Sequence, residues 1–230
     1  MNRQRTTLHI MNKRFFEPCI GKDFNEGING KKVLVLGASF YCPHTCCQFH
    51  HECTSREKKD SSAYDLICPD YNKDGKTCSL SNSPFYELDE QYNTYKKFAR
   101  TITNCLHGSV HENFYTDFWD KVAFTNFVQF FLPSWKTLHS DCTERDLDAL
   151  REVIEMLHPD VVIIWGHVTK YAIIKPFCYD FKTNTTDGYI YHSNAFGHKE
   201  VTFLNTYHPS YPNFLDNGLL EKYVKEVFGQ

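Results

Sequence analysis

Val33-Leu34-Val35-Leu36-Gly37-Ala38-Ser39-Phe40-Tyr41 is the stretch from which the fold of this chain can be read. Four apolar residues run without a polar break, the pattern of a strand buried on both faces of a parallel sheet. Gly37 then stops the strand and lets the backbone turn sharply or approach a ligand closely. Ser39 and Tyr41 follow at once, so hydroxyl groups stand just past the carboxyl end of a buried strand. In open α/β sheets that edge is where ligands bind.

The same grammar recurs downstream. Val122-Ala123-Phe124-Thr125-Asn126-Phe127-Val128 is a second buried strand, interrupted by Asn126 and closed by Pro133. Asp160-Val161-Val162-Ile163-Ile164-Trp165-Gly166 repeats the strand-then-glycine pattern, and Val201-Thr202-Phe203-Leu204-Asn205 is a further strand leading into His208-Pro209-Ser210. Helical spacing of Tyr92, Tyr95, Phe98, Ala99 and Ile102 predicts a helix over 88–106. Thr143 caps a helix whose stripe is Leu147, Leu150, Val153, Ile154 and Leu157, and His158-Pro159 ends it. A short helix over 168–174 and a closing amphipathic helix over 219–228 complete the set. Strand, helix, strand, glycine turn and helix in that order is a βαβ signature. The predicted fold is a three-layer α/β/α sandwich around a central, mainly parallel sheet of about four or five strands. Residues 180–198 are read as a hairpin, and residues 1–32 as a leader that packs over the sheet without joining it.

The 230 residues fit one α/β domain, long enough to bury a core without staples. A net charge of -3 announces no overall positive field, although a local basic groove suffices for nucleic acid. No apolar run approaches the ~20 residues of a membrane helix, and the basic N-terminus has no apolar core of a secretory signal. A cytoplasmic monomer without membrane association is therefore expected. In that compartment ten cysteines argue for metal or buried thiols over disulfides.

Six of those cysteines fall in an irregular Cys/His-rich insertion over 42–80. Cys46, Cys53, Cys68 and Cys78 are candidate ligands for a zinc ion or an iron–sulfur cluster, although no Cys-x-x-Cys pair frames them. Buried free thiols are the alternative.

Polar side chains thus follow several strands: Ser39 and Tyr41, Asn126, the Gly166-His167 turn, and His208 with Ser210. If the sheet is parallel they meet along one edge. At this point 33–41, 122–128, 159–171 and 206–212 together resemble the uracil-DNA glycosylase superfamily. The first stretch is similar to its water-activating motif (GQDPY in the first family, GEAPG in the iron–sulfur family), and the last to its HPS motif. The resemblance covers 32–41 and 121–212, with a poor match between them. It implies a uracil-DNA glycosylase-like fold, DNA as partner, no required cofactor, and hydrolysis of the N-glycosidic bond of a flipped, damaged or modified base. Tyr41 and Asn126 then take the base-binding positions, Asn126 because an amide matches both donor and acceptor on a pyrimidine edge. His208 takes the place of the histidine that stabilises the departing base, with Ser39 beside it as the second catalytic position. Gly166, His167 and Ser210 take phosphate contacts. Tyr211 or Phe214 stands where an intercalating wedge belongs.

The departures matter as much. The first family has Asp at the position of Ser39 and the iron–sulfur family has Glu at that of Ala38; neither carboxylate is present here. Phe40 replaces the usual proline. Two rival functions follow: a catalytically silent nucleic-acid-binding module on the same fold, and a hydrolase using Ser39 as nucleophile with His208 as base. The last lacks the GxSxG elbow.

Overall fold

The computed structural model describes residues 14, 16–41, 50–55, 71–72, 77–78, 93–132, 136–177, 181–183, 189–196, 199–211 and 219–229. Its strands are β1 (Cys19–Ile20), β2 (Val33–Gly37), β3 (Phe40–Tyr41), β4 (Tyr71–Asn72), β5 (Thr77–Cys78), β6 (Val122–Asn126), β7 (Phe131–Leu132), β8 (Val161–Trp165), β9 (Phe181–Thr183), β10 (Ile190–Ser193) and β11 (Val201–Thr206). The central sheet has seven strands in the order β1-β6-β2-β8-β11-β10-β9. Its inner four, β6, β2, β8 and β11, are parallel. The edges are antiparallel: β1 against β6, β10 against β11, and β9 against β10.

The parallel centre follows from composition. Every residue of β2, β6 and β8 is buried, which only strands covered on both faces require. Side chains alternate between the two faces. Leu34, Leu36, Ala123, Val162 and Ile164 pack with Leu150, Val153, Ile154 and Ile173 of helices Glu144–Leu157 and His167–Phe177. Val33, Val35, Phe124, Ile163 and Trp165 pack on the other side with Phe98, Trp119 and Tyr223 of helices Asn93–His107, Phe114–Asp120 and Leu219–Phe228. The result is a mostly parallel sheet flanked by helices on both faces.

Several expectations need correction. Among the described residues the sheet has seven strands, not four or five, because the short antiparallel segments β1, β9 and β10 extend a parallel core of four. The N-terminal region does not merely pack over the sheet. Cys19 and Ile20 pair with Phe124 and Ala123, giving β6 an edge partner, while Phe16 fills the core beneath. The second buried strand ends at Asn126, where the ladder gives way to a loop. The hairpin over 180–198 is present as β9 and β10. The helix beginning after Thr143 has a capping box: Asp146 Oδ2 accepts from the Thr143 backbone N at 2.6 Å and from its Oγ1 at 2.8 Å. It ends at His158, as the His158-Pro159 pair predicts, with His158 in the left-handed region.

Much of the insertion over 42–80 lies outside the described residues, Cys46 and Cys68 included. Cys53 ends the one-turn helix His50–Cys53, and Cys78 ends β5, which pairs with β4 in a separate two-stranded ribbon.

Candidate functional site

The chain leaves β2 for β6 on one side through helices on one face. It then crosses the opposite face in helix Glu144–Leu157 to reach β8 on the other side of β2. The carboxyl ends of β2 and β8 therefore flank a topological switch point, where the diverging connections open a crevice.

Two glycines floor that crevice. Gly37 ends β2, opposite Asn126 in the β2–β6 register. A Cβ at position 37 would collide with Asn126 Oδ1, so the Asn126 amide lies over the end of β2. Gly166 follows β8 with φ +86°, a left-handed conformation that glycine adopts without strain. The Cβ of His208 lies 3.6 Å from where a Cβ on residue 166 would stand. Because β2 and β8 are neighbours, about 4.8 Å apart, Asn126 and His208 come from distant strands yet cover adjacent strand ends. Phe124, Trp165 and Tyr95 form a triangle of rings with centroids 5.3–5.7 Å apart on this face of the sheet, and Trp165 meets the His208 ring edge-on at 5.7 Å.

His208 is poised as a neutral donor. Its Nδ1 accepts the Ser210 backbone N–H at 3.3 Å and stands 2.7 Å from Ser210 Oγ. A ring nitrogen that accepts an N–H carries no proton, so the neutral tautomer has its hydrogen on Nε2. Burial pushes the imidazole down to about 4, which keeps it neutral at physiological pH. Ser210, expected at a phosphate, is exposed, and its hydroxyl is engaged with Nδ1 of His208.

Asn126 is only 3% exposed. Its backbone carbonyl oxygen accepts from Gln129 Nε2 at 2.8 Å, and no hydrogen bond to its side-chain amide is found among the described residues. Gln129 is itself buried and locks this loop: its Oε1 accepts from Phe16 N at 3.1 Å, and its backbone N donates to Asp146 Oδ1 at 2.8 Å. Burial holds the Asp146 carboxyl above its ordinary range against these hydrogen bonds. Gln129 was not picked out in the sequence, although an amide three residues after Asn126 in an apolar run was the available signal.

Ser39 and Tyr41 share a cluster of hydroxyls with Thr137. Ser39 Oγ lies 2.7 Å from Thr137 Oγ1 and 3.2 Å from Tyr41 OH, and Tyr41 OH lies 3.4 Å from Thr137 Oγ1. Thr137 had no signal in the sequence. None of the three is a base, and the described hydrogen bonds of His208 run to Ser210, not to Ser39.

His167 opens helix His167–Phe177 beside the Gly166 turn. Its imidazole is held below the ordinary range by burial and by the Lys170 ammonium. Among the described residues no group of three His, Cys, Asp or Glu side chains could hold a metal ion. No described helix is long and apolar enough to cross a membrane.

A scan against protein-family models returns no match, and neither does a search of curated proteins.

Proposed function

We infer that this protein recognises a nucleic-acid base at the carboxyl edge of its parallel sheet, in the manner of a DNA N-glycosylase. The observation that carries the reading is the convergence of the Asn126 amide and the neutral His208 imidazole over the adjacent ends of β2 and β8. An amide supplies one donor and one acceptor to the edge of a pyrimidine. A neutral Nε2–H placed where negative charge develops stabilises a base leaving as an anion, without first having to lose a proton. In this reading Tyr41 bounds the pocket, and the hydroxyls of Ser39 and Thr137 are the groups available to hold the attacking water. The Gly166 turn and the first amides of helix His167–Phe177 meet a phosphate.

A second reading has a specific observation behind it. Neither Ala38 nor Ser39 is a carboxylate, and among the described residues the cluster at Ser39 is made of hydroxyls. A module that binds a flipped base without cleaving it needs the pocket and not the carboxylate. The same hydroxyl cluster counts against a Ser39–His208 nucleophile pair, which requires a base within hydrogen-bond reach of the serine.

The test is a panel of oligonucleotides carrying uracil, hypoxanthine, xanthine and modified pyrimidines, with wild type beside His208→Ala and Asn126→Ala. Abasic sites made by wild type and lost in both variants support the glycosylase. Binding that depends on Asn126 without abasic sites supports the silent module. Neither cleavage nor binding overturns both.

A further inference from the structure

We propose that a row of surface aromatic rings flanking His208 is a stacking platform for an unpaired nucleic-acid strand. The row runs His139–Tyr171–His167–Tyr207–Tyr211, with successive centroids 6.0, 6.3, 5.1 and 6.0 Å apart. Its two outer tyrosines, Tyr171 and Tyr211, are each 54% exposed, among the most exposed large apolar side chains described. Each is held against an inner ring. Tyr171 stacks on His167 with an interplanar angle of 28°, and Tyr211 on Tyr207 with 14°. The inner pair, His167 and Tyr207, meets edge to face at 80°. Tyrosines fixed this way lose little side-chain freedom when a ligand covers them, which is the economy of a preformed binding face.

Charge selects the ligand. A lysine stands beside each outer tyrosine: Lys170 Nζ lies 5.6 Å from the Tyr171 ring centroid, and Lys97 Nζ donates to the Tyr211 carbonyl at 3.0 Å. Open aromatic faces with ammonium groups next to them suit a strand whose bases stack while its phosphates are neutralised. In a duplex the base faces are already stacked on one another and unavailable to the tyrosines. The inner rings adjoin the site, since His167 follows Gly166 and Tyr207 precedes His208. The proposal rests on the reading of that edge as a base site, and adds that the strand on either side arrives unpaired.

Fluorescence anisotropy of labelled oligothymidylate and of a duplex of equal length, both undamaged and at low salt, tests the platform. Wild type is expected to bind the single strand more tightly. Tyr171→Ala and Tyr211→Ala should each weaken single-strand binding about tenfold, while Tyr171→Phe and Tyr211→Phe retain it. Both tyrosines are exposed, so an unchanged thermal midpoint checks folding. Equal affinity for duplex and single strand, or single-strand binding indifferent to both alanine variants, overturns the platform. Because the probes carry no damaged base, platform binding with no excision from the oligonucleotide panel defeats the glycosylase reading alone. Excision that survives both tyrosine variants, with no loss of single-strand binding, defeats the platform alone.

Discussion

The amide oxygen of Asn126 occupies the space that a side chain on residue 37 would fill, so the glycine of one strand and the asparagine of its neighbour form a single feature. Gly37→Ala is expected to push the Asn126 amide aside, because its Cβ would also stand 3.1 Å from Phe124 Cζ in a buried strand. Overpacking of this kind costs about 1–3 kcal/mol. Asn126→Ala removes the obstacle, so the double variant should be more stable than the sum of the single losses predicts. A urea-unfolding cycle measures this. Strict additivity would mean that the two positions do not compete for one space.

The partly buried imidazole of His208 makes stability depend on pH in a defined direction. Its folded value of about 4 lies below the ordinary histidine range near 6.5, so between those values the unfolded chain binds a proton that the folded chain refuses. The contribution is complete above about pH 6.5 and is lost as the pH falls toward 4, for a total of about 3 kcal/mol. His208→Asn should flatten that part of the stability curve. Unfolding measured from pH 4 to 7.5 in both proteins checks it, and parallel curves would place the imidazole in water.

The parallel core and its polar edge were legible because buried strands and their terminal glycines write themselves as uninterrupted apolar runs. Val33 to Gly37 and Val161 to Gly166 are the clearest cases. The antiparallel additions were not. Cys19–Ile20 is two residues long and carries no alternation, so nothing local marks it as an edge strand, and its pairing is fixed by β6. The placement of Asn126 and His208 at the carboxyl edge was legible because one ends the apolar run of β6 and the other closely follows that of β11. Gln129 and Thr137 were missed because their roles are relational: each matters for the partner it meets, and neither belongs to a periodic pattern. The aromatic row has the same character, since His139, His167 and Tyr207 come from three separate segments.

The hydroxyl cluster at Ser39 should behave as structure and not as a nucleophile. Ser39→Ala and Thr137→Val each remove the 2.7 Å hydrogen bond and are expected to cost about 1 kcal/mol, with a double variant little worse than either. A serine-directed phosphonate should leave the protein unmodified by intact-mass measurement, since among the described residues the hydrogen-bond partners of Ser39 Oγ are the hydroxyls of Tyr41 and Thr137. A covalent adduct lost in both Ser39→Ala and His208→Ala would restore the hydrolase reading.

Gln129 is a positioning residue whose effect on ligand binding should run through Asn126. Gln129→Ala strips the Phe16 N–H and the Asn126 carbonyl of their buried partner, an expected loss of about 2–4 kcal/mol. Asp146→Asn is a gentler probe. The carboxylate accepts from Gln129 N through one oxygen and from Thr143 through the other, whereas an amide has one acceptor oxygen and must turn an N–H₂ toward a donor. Its expected cost is about 1–3 kcal/mol. In both variants the affinity for a base-bearing oligonucleotide should fall as far as in Asn126→Ala, and combining either with Asn126→Ala should produce no further fall. In Gln129→Ala the pH dependence assigned to His208 should persist unchanged, because that imidazole is held by Ser210 and Trp165 on the other side of the crevice. A variant that loses the His208 signature together with binding would show general loosening of the sheet edge, and Gln129 would then be a stability residue with no separate hold on the site.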